Sequence, residues 1–495
     1  MSSSLVVAVI AGYFILLILI SLLTSRKSDS NTFFTGNKQS PWYLVAFGMI
    51  GASLSGVTFI SVPGWVADTQ FSYMQVVFGY LLGYLVIGTV LMPLYYRLKL
   101  VSIYGYLEER FGFWSYKTGA FYFLVSRVVQ AAFRLFLVAG VLQLAVFEAW
   151  GIPFSVTVIV TITLIWLYTF RGGIKTIVWT DTLQTLFMLL AIGIVMYLVS
   201  EDLNLSFQGL IKTVNDSNYS NIFIWEWQPA TNFFKQFLSG AFIAIVMTGL
   251  DQDMMQKNLT CKSIGDAQKN MFWFSIVLVV VNLLFLSMGA LLYIFAEKNG
   301  ITLPEKTDDL FPVLALNHFS TLAGIVFLLG IIAAAYSSAD SALTALTTSF
   351  CVDFLNFQRE ETVAIQSKQR RTRLLVHLGF SILLFTVIMV FQAINDEAVI
   401  SSLFKAAGYT YGPLLGLFAF GLFTRKEIKD KWVIPVCLIA PVLSYVINVN
   451  STFLFGGYKF GFEILIVNGL ITFIGLALIV KRKAAPTPQG GQAVH

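Results

Sequence analysis

Apolar residues run along this chain in long blocks, not in the alternation of a strand or the narrow stripe of a water-facing helix. A helix needs roughly 20 such residues to cross a hydrocarbon core. Thirteen blocks meet that need, at about 4–24, 42–67, 72–98, 118–147, 152–170, 176–200, 233–258, 271–296, 318–354, 373–394, 398–424, 432–449 and 461–480. The pattern predicts an all-α polytopic membrane protein, with a single transmembrane domain over 1–483 and its core at 42–200 and 233–424. The first block lacks a basic segment before it and runs into Arg26 and Lys27, so it reads as a retained span and not a cleaved leader. Polar segments at 201–232 and 298–317 are expected to carry short helices over a solute entrance. The segment 353–373 is expected to be solvated, and 484–495 to form a disordered tail.

Two blocks are interrupted. The second, FGMIGASLSGVTFISVPGW, collects Gly48, Gly51, Ser53, Ser55, Gly56, Thr58, Ser61, Pro63 and Gly64 in one crossing. Small residues also serve close helix packing, but this density of Gly, Ser and Pro predicts a discontinuous helix. The seventh places Thr248 and Gly249 just before Asp251 and Asp253. Unpaired backbone is tolerated at membrane depth only beside a cavity. Breaks five spans apart point to two inverted five-helix repeats with a site between them.

Composition narrows the function. The chain of 495 residues is 57% hydrophobic and 12% charged, with mean hydropathy +0.78. Soluble domains carry about 25% charged residues, so a soluble enzyme, a disordered chain and a fibrous one are excluded. Cys261, Cys351 and Cys437 are widely separated, and His318, His377 and His495 are the only histidines. A disulfide framework, a His-ligated metal and a His-based triad are therefore not expected. The net charge of +6 reflects topology: 24 basic residues fall in alternate loops and the C-terminal end, about 5 on the opposite side, and Arg127, Arg134 and Lys405 inside spans. The positive-inside rule then puts the N-terminus outside and the C-terminus in the cytoplasm of a multi-pass plasma-membrane protein.

An ionisable group at the bilayer centre costs about 2.5–3.5 kcal/mol and is a functional candidate by default. Asp181 lies in the sixth span; the ninth holds Ser337, Ser338, Asp340, Ser341, Thr344, Thr347 and Thr348. Ser337, Asp340 and Ser341 share a helical face. Carboxylates and hydroxyls without soft ligands form a shell for a hard cation, sodium above zinc or iron; the bland alternative is serines bonded to the preceding turn. Arg127, Gln130 and Arg134 share a face of the fourth span. An arginine there clamps a carboxylate, pairs with Asp181, Asp340 or Glu148, or snorkels. Lys405 reads as a buried cation in an ion pair, His318 and His377 as structural, and Pro41–Tyr43 as an interfacial anchor.

The segments SLSGVTFISVP (53–63), YGYLEERFG (104–112), YTFRGGIKTIVWTDTLQ (168–184), DQDMMQK (251–257) and AAAYSSADSALTALTTS (333–349) together resemble the solute:sodium symporters. That family includes sodium/glucose, sodium/proline and sodium/sialic acid cotransporters. The resemblance implies two inverted repeats with extra helices before and after. It implies a main sodium site from the carbonyls of Gly51, Leu54 and Ala334 and the hydroxyls of Ser337 and Ser338. Some members add a second sodium, which here would engage Asp181, Ser337, Ser341 and position 340. Asp340 departs from the serine of sialic acid members; it either strengthens that site or pairs with Arg134 or Lys405. For the solute the resemblance points to Ser55, Thr58, Tyr73 and the fourth span, where ungapped extension puts the carboxylate-binding position at Gln130 and Arg134 one turn beyond. Val77 is apolar where sialic acid members are polar.

The expected activity is sodium-coupled secondary active import of a small organic solute by alternating access. That solute is a sugar, a sialic acid-like sugar acid or another organic acid, moved with one or two sodium ions by a single chain in lipid. Nucleic acid is not an expected partner. A transporter-like sensor or uncoupled channel is the first alternative, but no output domain is attached. A membrane-embedded enzyme is the second, but it lacks a mid-span base for a Ser–Asp pair.

Overall fold

The computed structural model describes residues 3–24, 40–98, 100, 102–169, 174–357, 363–395 and 397–481. The expected tail and the Arg26–Lys27 segment lie outside these. Described residues form helices and no strand, with only isolated bridges at Ser40–Cys261 and Ile428–Val480. In chain order the long helices are α1 (Ser3–Thr24), α2 (Trp42–Ser53), α3 (Gly56–Gly64), α4 (Tyr73–Leu98), α5 (Phe113–Trp150), α6 (Phe154–Thr169), α7 (Ile174–Asp202), α8 (Phe233–Gly249), α9 (Gln252–Asn258), α10 (Ile264–Lys298), α11 (Thr321–Phe354), α12 (Val363–Ile394), α13 (Val399–Thr410), α14 (Gly412–Phe423), α15 (Val433–Val449) and α16 (Ile464–Leu478). Among the described residues, seven helices are long and apolar enough to cross a membrane alone. Three bent pairs bring the number to ten, and shorter apolar helices lie at Ser4–Leu19, Phe154–Trp166 and Ile464–Leu478.

Both interruptions read from the sequence are present. The axis turns 53° between α2 and α3 and 72° between α8 and α9. A third bend, 48° between α13 and α14, was not anticipated. Its cause is local: Pro413 has no N–H for the carbonyl of Tyr409. Asn468 of α16 takes that carbonyl at 2.9 Å and the carbonyl of Gly408 at 3.0 Å.

The halves meet through small residues. A Cβ on Gly79 would lie 2.0 Å from Phe237 O, one on Gly83 2.4 Å from Ala241 O, and one on Gly240 2.0 Å from Val76 O. The Gly79–Gly83 spacing thus lets α4 and α8 touch backbone to backbone, where dispersion, not the hydrophobic effect, holds helices together in lipid.

Short helices do occur in the two polar segments, at Phe207–Asn215 and Thr307–Asp309. The second abuts Gly64, whose Cβ would meet Thr307 O at 2.2 Å. Asp308 Oδ2 accepts the Val399 amide at 2.8 Å, tying this turn to the start of α13, and burial pushes the carboxyl up to about 6.

Three charge placements differ from expectation. Lys405 is half exposed and pairs with Glu397 at 2.5 Å, because α13 presents it outward. Asp353, expected in a solvated loop, is buried and accepts from Tyr116 at 2.8 Å and Ser349 at 2.5 Å. Lys257, counted with the loops, is 2% exposed, because α9 carries it into the bundle.

Candidate cation and solute site

At the first break Leu54 has φ −81° and ψ 80°, and Ser55 is extended at φ −82°, ψ 179°. The Ser55 amide donates to Ser53 O at 3.1 Å, so Gly51 O loses its helical donor. Gly51 also permits close approach: its Cβ would lie 2.0 Å from Thr185 Oγ1 of α7. Helix α11 packs on α2 and brings buried Ala334, Ser337 and Ser338 to this level. Ser338 Oγ lies 3.5 Å from Ala334 O. Carbonyl and hydroxyl oxygens of this kind suit a hard cation. Among the described residues no three His, Cys, Asp or Glu side chains converge on a metal-sized point.

The second break is held by side chains. Tyr95 donates to Gly249 O at 2.9 Å and Tyr104 to Leu250 O at 3.0 Å. Asp251 caps α9 through the amides of Asp253 (3.0 Å) and Met254 (3.2 Å), which supplies acceptors for the orphan donors of a helix start. It also accepts from Tyr411 at 2.8 Å. Arg127 pairs with Asp253 and lies 3.7 Å from Asp251. Its partners are thus neither Asp181, Asp340 nor Glu148. Gln130 donates to Tyr411 Oη at 2.8 Å and Ser126 O at 3.3 Å, which joins it to this brace.

A third cluster joins α7, α9 and α11. Ser337 Oγ donates to Asp181 Oδ1 at 2.8 Å. Lys257 Nζ donates to Asp181 Oδ2 and to Ser341 Oγ, both at 2.9 Å. Asp340 is buried, accepts the Ser341 amide and lies in electrostatic reach of Lys257. Lys405 pairs with Glu397 and not with Asp340.

Beside the first break lies a partly open cavity of about 80 Å³. Ser55, Thr58, Tyr73 and Arg134 line it, as do Thr248 and Asn282. Val77 does not. Phe404 stacks on Tyr73 at 6.2 Å and meets Phe462 at 5.0 Å, while Trp65 meets Tyr73 at 6.3 Å, giving one end an aromatic cover. Arg134 is 8% exposed; among the described residues it enters no ion pair, and its Nε has no hydrogen-bond partner. Asn282 Oδ1 is also without a donor. A buried guanidinium lining a cavity of mixed polarity can receive an anion.

Sequence reasoning missed Lys257, Tyr95, Tyr104, Tyr411 and Asn282. For Lys257 a signal existed: it follows Asp253 by one helical turn inside an apolar block. The tyrosines carry none, since their partners lie far away in sequence.

The family model described as the sodium:solute symporter family matches residues 33–429. The sodium/sialic acid symporter SiaT of Proteus mirabilis is 24% identical over 481 residues, 94% of each chain. The sodium/sialic acid symporter NanT of Aliivibrio fischeri is 24% identical, covering 90% of this chain and 88% of its own. The human sodium/iodide cotransporter is 23% identical over 83% of this chain and 65% of its own. A solved structure of a Na+-coupled sialic acid symporter, substrate-bound and outward-open, superposes with TM-score 0.79 at 18% identity, covering 96% of this chain and 98% of its own. The nucleobase-cation-symport-1 transporter MHP1 gives 0.56 at 14% identity, over 91% and 94%. These two show the same fold.

Proposed function

This chain belongs to the sodium:solute symporter family, and from that premise we propose that it imports a small organic acid, held at Arg134, together with sodium held at the first break. It is a multi-pass membrane transporter and not an enzyme. The observation that carries the solute class is the buried Arg134 guanidinium, facing the cavity without an acidic partner among the described residues. Sialic acid and iodide, carried by the named relatives, are both anionic at neutral pH. Hydroxyls of Ser55, Thr58 and Tyr73 beside the guanidinium suit a ligand with its own hydroxyl or carbonyl groups. Either a sugar acid or a smaller carboxylate satisfies that chemistry.

Sodium sits, in this reading, among the carbonyls of Gly51, Leu54 and Ala334 and the hydroxyls of Ser337 and Ser338. Coupling follows from adjacency. Leu54 offers its carbonyl to the ion, and Ser55, the next residue, offers its side chain to the solute. An ion that fixes Leu54 against α11 therefore fixes Ser55, so each ligand tightens the other by one coupling free energy. The basic loops support an outside N-terminus and a cytoplasmic C-terminus. Because all of these groups come from one chain, a monomer suffices as the transport unit, and residues 1–483 act as one domain.

Thermal stability of the purified protein against sialic acids, monocarboxylates, sugars and amino acids, each in sodium and in potassium, tests this. An acid should stabilise in sodium alone, through linked binding, and Arg134→Gln should abolish the effect. Stabilisation by neutral sugars alone, unaffected by Arg134→Gln, would overturn it.

A further inference from the structure

The Lys257 side chain occupies the oxygen pocket that the sequence resemblance assigns to a second sodium. Asp181, Ser337, Asp340 and Ser341, the four residues of that implied site, are all buried to 1% exposure or less. Into them projects an ammonium, 2.9 Å from Asp181 Oδ2 and 2.9 Å from Ser341 Oγ. Ser337 is turned toward Asp181 Oδ1 at 2.8 Å, so the carboxylate is bonded on both oxygens. An ammonium and a sodium ion carry the same charge and ask for the same hard oxygen partners, but the ammonium is tethered to α9 and cannot be transported.

We propose that Lys257 is a resident cation that replaces a second transported sodium, leaving one sodium per transport cycle. The inference rests on the main sodium site at Ser338 described above. The pocket is also the wrong place for a cation-binding solute, since it lies apart from the residues that line the cavity. One consequence reaches the energetics of transport: a single sodium carried with a monoanion moves no net charge, so the membrane potential does not drive the cycle.

Equilibrium binding of radioactive sodium to the purified full chain, without any solute, decides the matter. Wild type should bind one ion per chain with a Hill coefficient of one. Lys257→Ala should bind two, a doubling, and Lys257→Ala combined with Asp181→Asn should return to one. Two ions on wild type, or an unchanged count in folded Lys257→Ala, would overturn the proposal. The wild-type count stands as a test even where no Lys257 variant folds. Ser338→Ala separates the two assignments: it should remove one ion from both wild type and Lys257→Ala. Gain of the extra ion in Lys257→Ala while Ser338→Ala changes neither count would fault the main site and leave the lysine assignment standing.

Discussion

At Leu54–Ser55 the second span turns 53°, and the backbone answers with a local fold-back of Ser55 onto Ser53. At Gly249–Asp251 the seventh span turns 72°, and two tyrosines, a capping aspartate and a buried arginine grip the exposed groups. The two breaks hold matching places in the two halves, and both obey the rule that backbone polar groups in lipid must be paired. The first leaves a carbonyl open beside α11; the second is closed by side chains that come from α4, the connection at Tyr104, α5 and the bend between α13 and α14. Symmetry of the fold therefore does not carry over to the sites. The first break leaves a backbone carbonyl without its helical donor; the second is braced by side chains.

The brace should be the costlier to damage. Arg127→Met leaves Asp253 and Asp251 buried without their cation, at a cost of about 3–5 kcal/mol. Thermal unfolding in detergent should show the loss, while the sodium response of surviving protein stays at wild-type strength. An unchanged melting temperature would mean that the second break is not braced by this pair. Ser338→Ala sits on the other side of the comparison. Losing one charge-assisted oxygen contact, about 1.5–3 kcal/mol, weakens sodium binding on the order of 10- to 150-fold. Sodium-free stability should stay near wild type, and a normal sodium titration would remove the first break from the ion site. Tyr104→Phe strips the hydroxyl from Leu250 O and should lower stability by about 1–2 kcal/mol with no change in sodium affinity; a sodium defect would blur the distinction between the breaks.

The smallest effect is expected at Asp308, beside the far end of α3. Its carboxyl titrates at about 6 in the folded protein against 3.8 for the ordinary value. The folded state thus binds more protons across that window, so its relative stabilisation is complete below the lower value and is lost as pH rises through about 6. Asp308→Asn should flatten the fall in melting temperature between those values. A slope identical to wild type would place the titrating group elsewhere.

The spans and the first two interruptions were legible in the sequence because hydropathy and the Gly–Ser–Pro density of residues 48–64 are local signals. The acidic flank of residue 249 was legible for the same reason. The partners were not. Arg127 was matched with Asp181, Asp340 or Glu148, yet it finds Asp253, because spacing along one helix says nothing of which distant helix it faces. Gln130 and Arg134 share a face in any helical drawing, but Tyr411 lies over one and the cavity over the other. Lys257 falls at the end of the 233–258 block and counts with the adjoining loop in the tally of basic residues; the break that turns α9 inward comes just before it. Pro413 gave a local signal for the third bend, but Asn468, which takes the carbonyls it frees, lies 55 positions later in the chain.

Hydrogen–deuterium exchange of the purified protein in sodium and in potassium, without solute, compares the breaks most directly. Sodium should slow exchange across residues 51–58 and the facing turns of α11, and leave residues 249–253 unchanged. Protection at 249–253 in place of 51–58, or no difference between the two salts, would contradict the assignment of the ion to the first break.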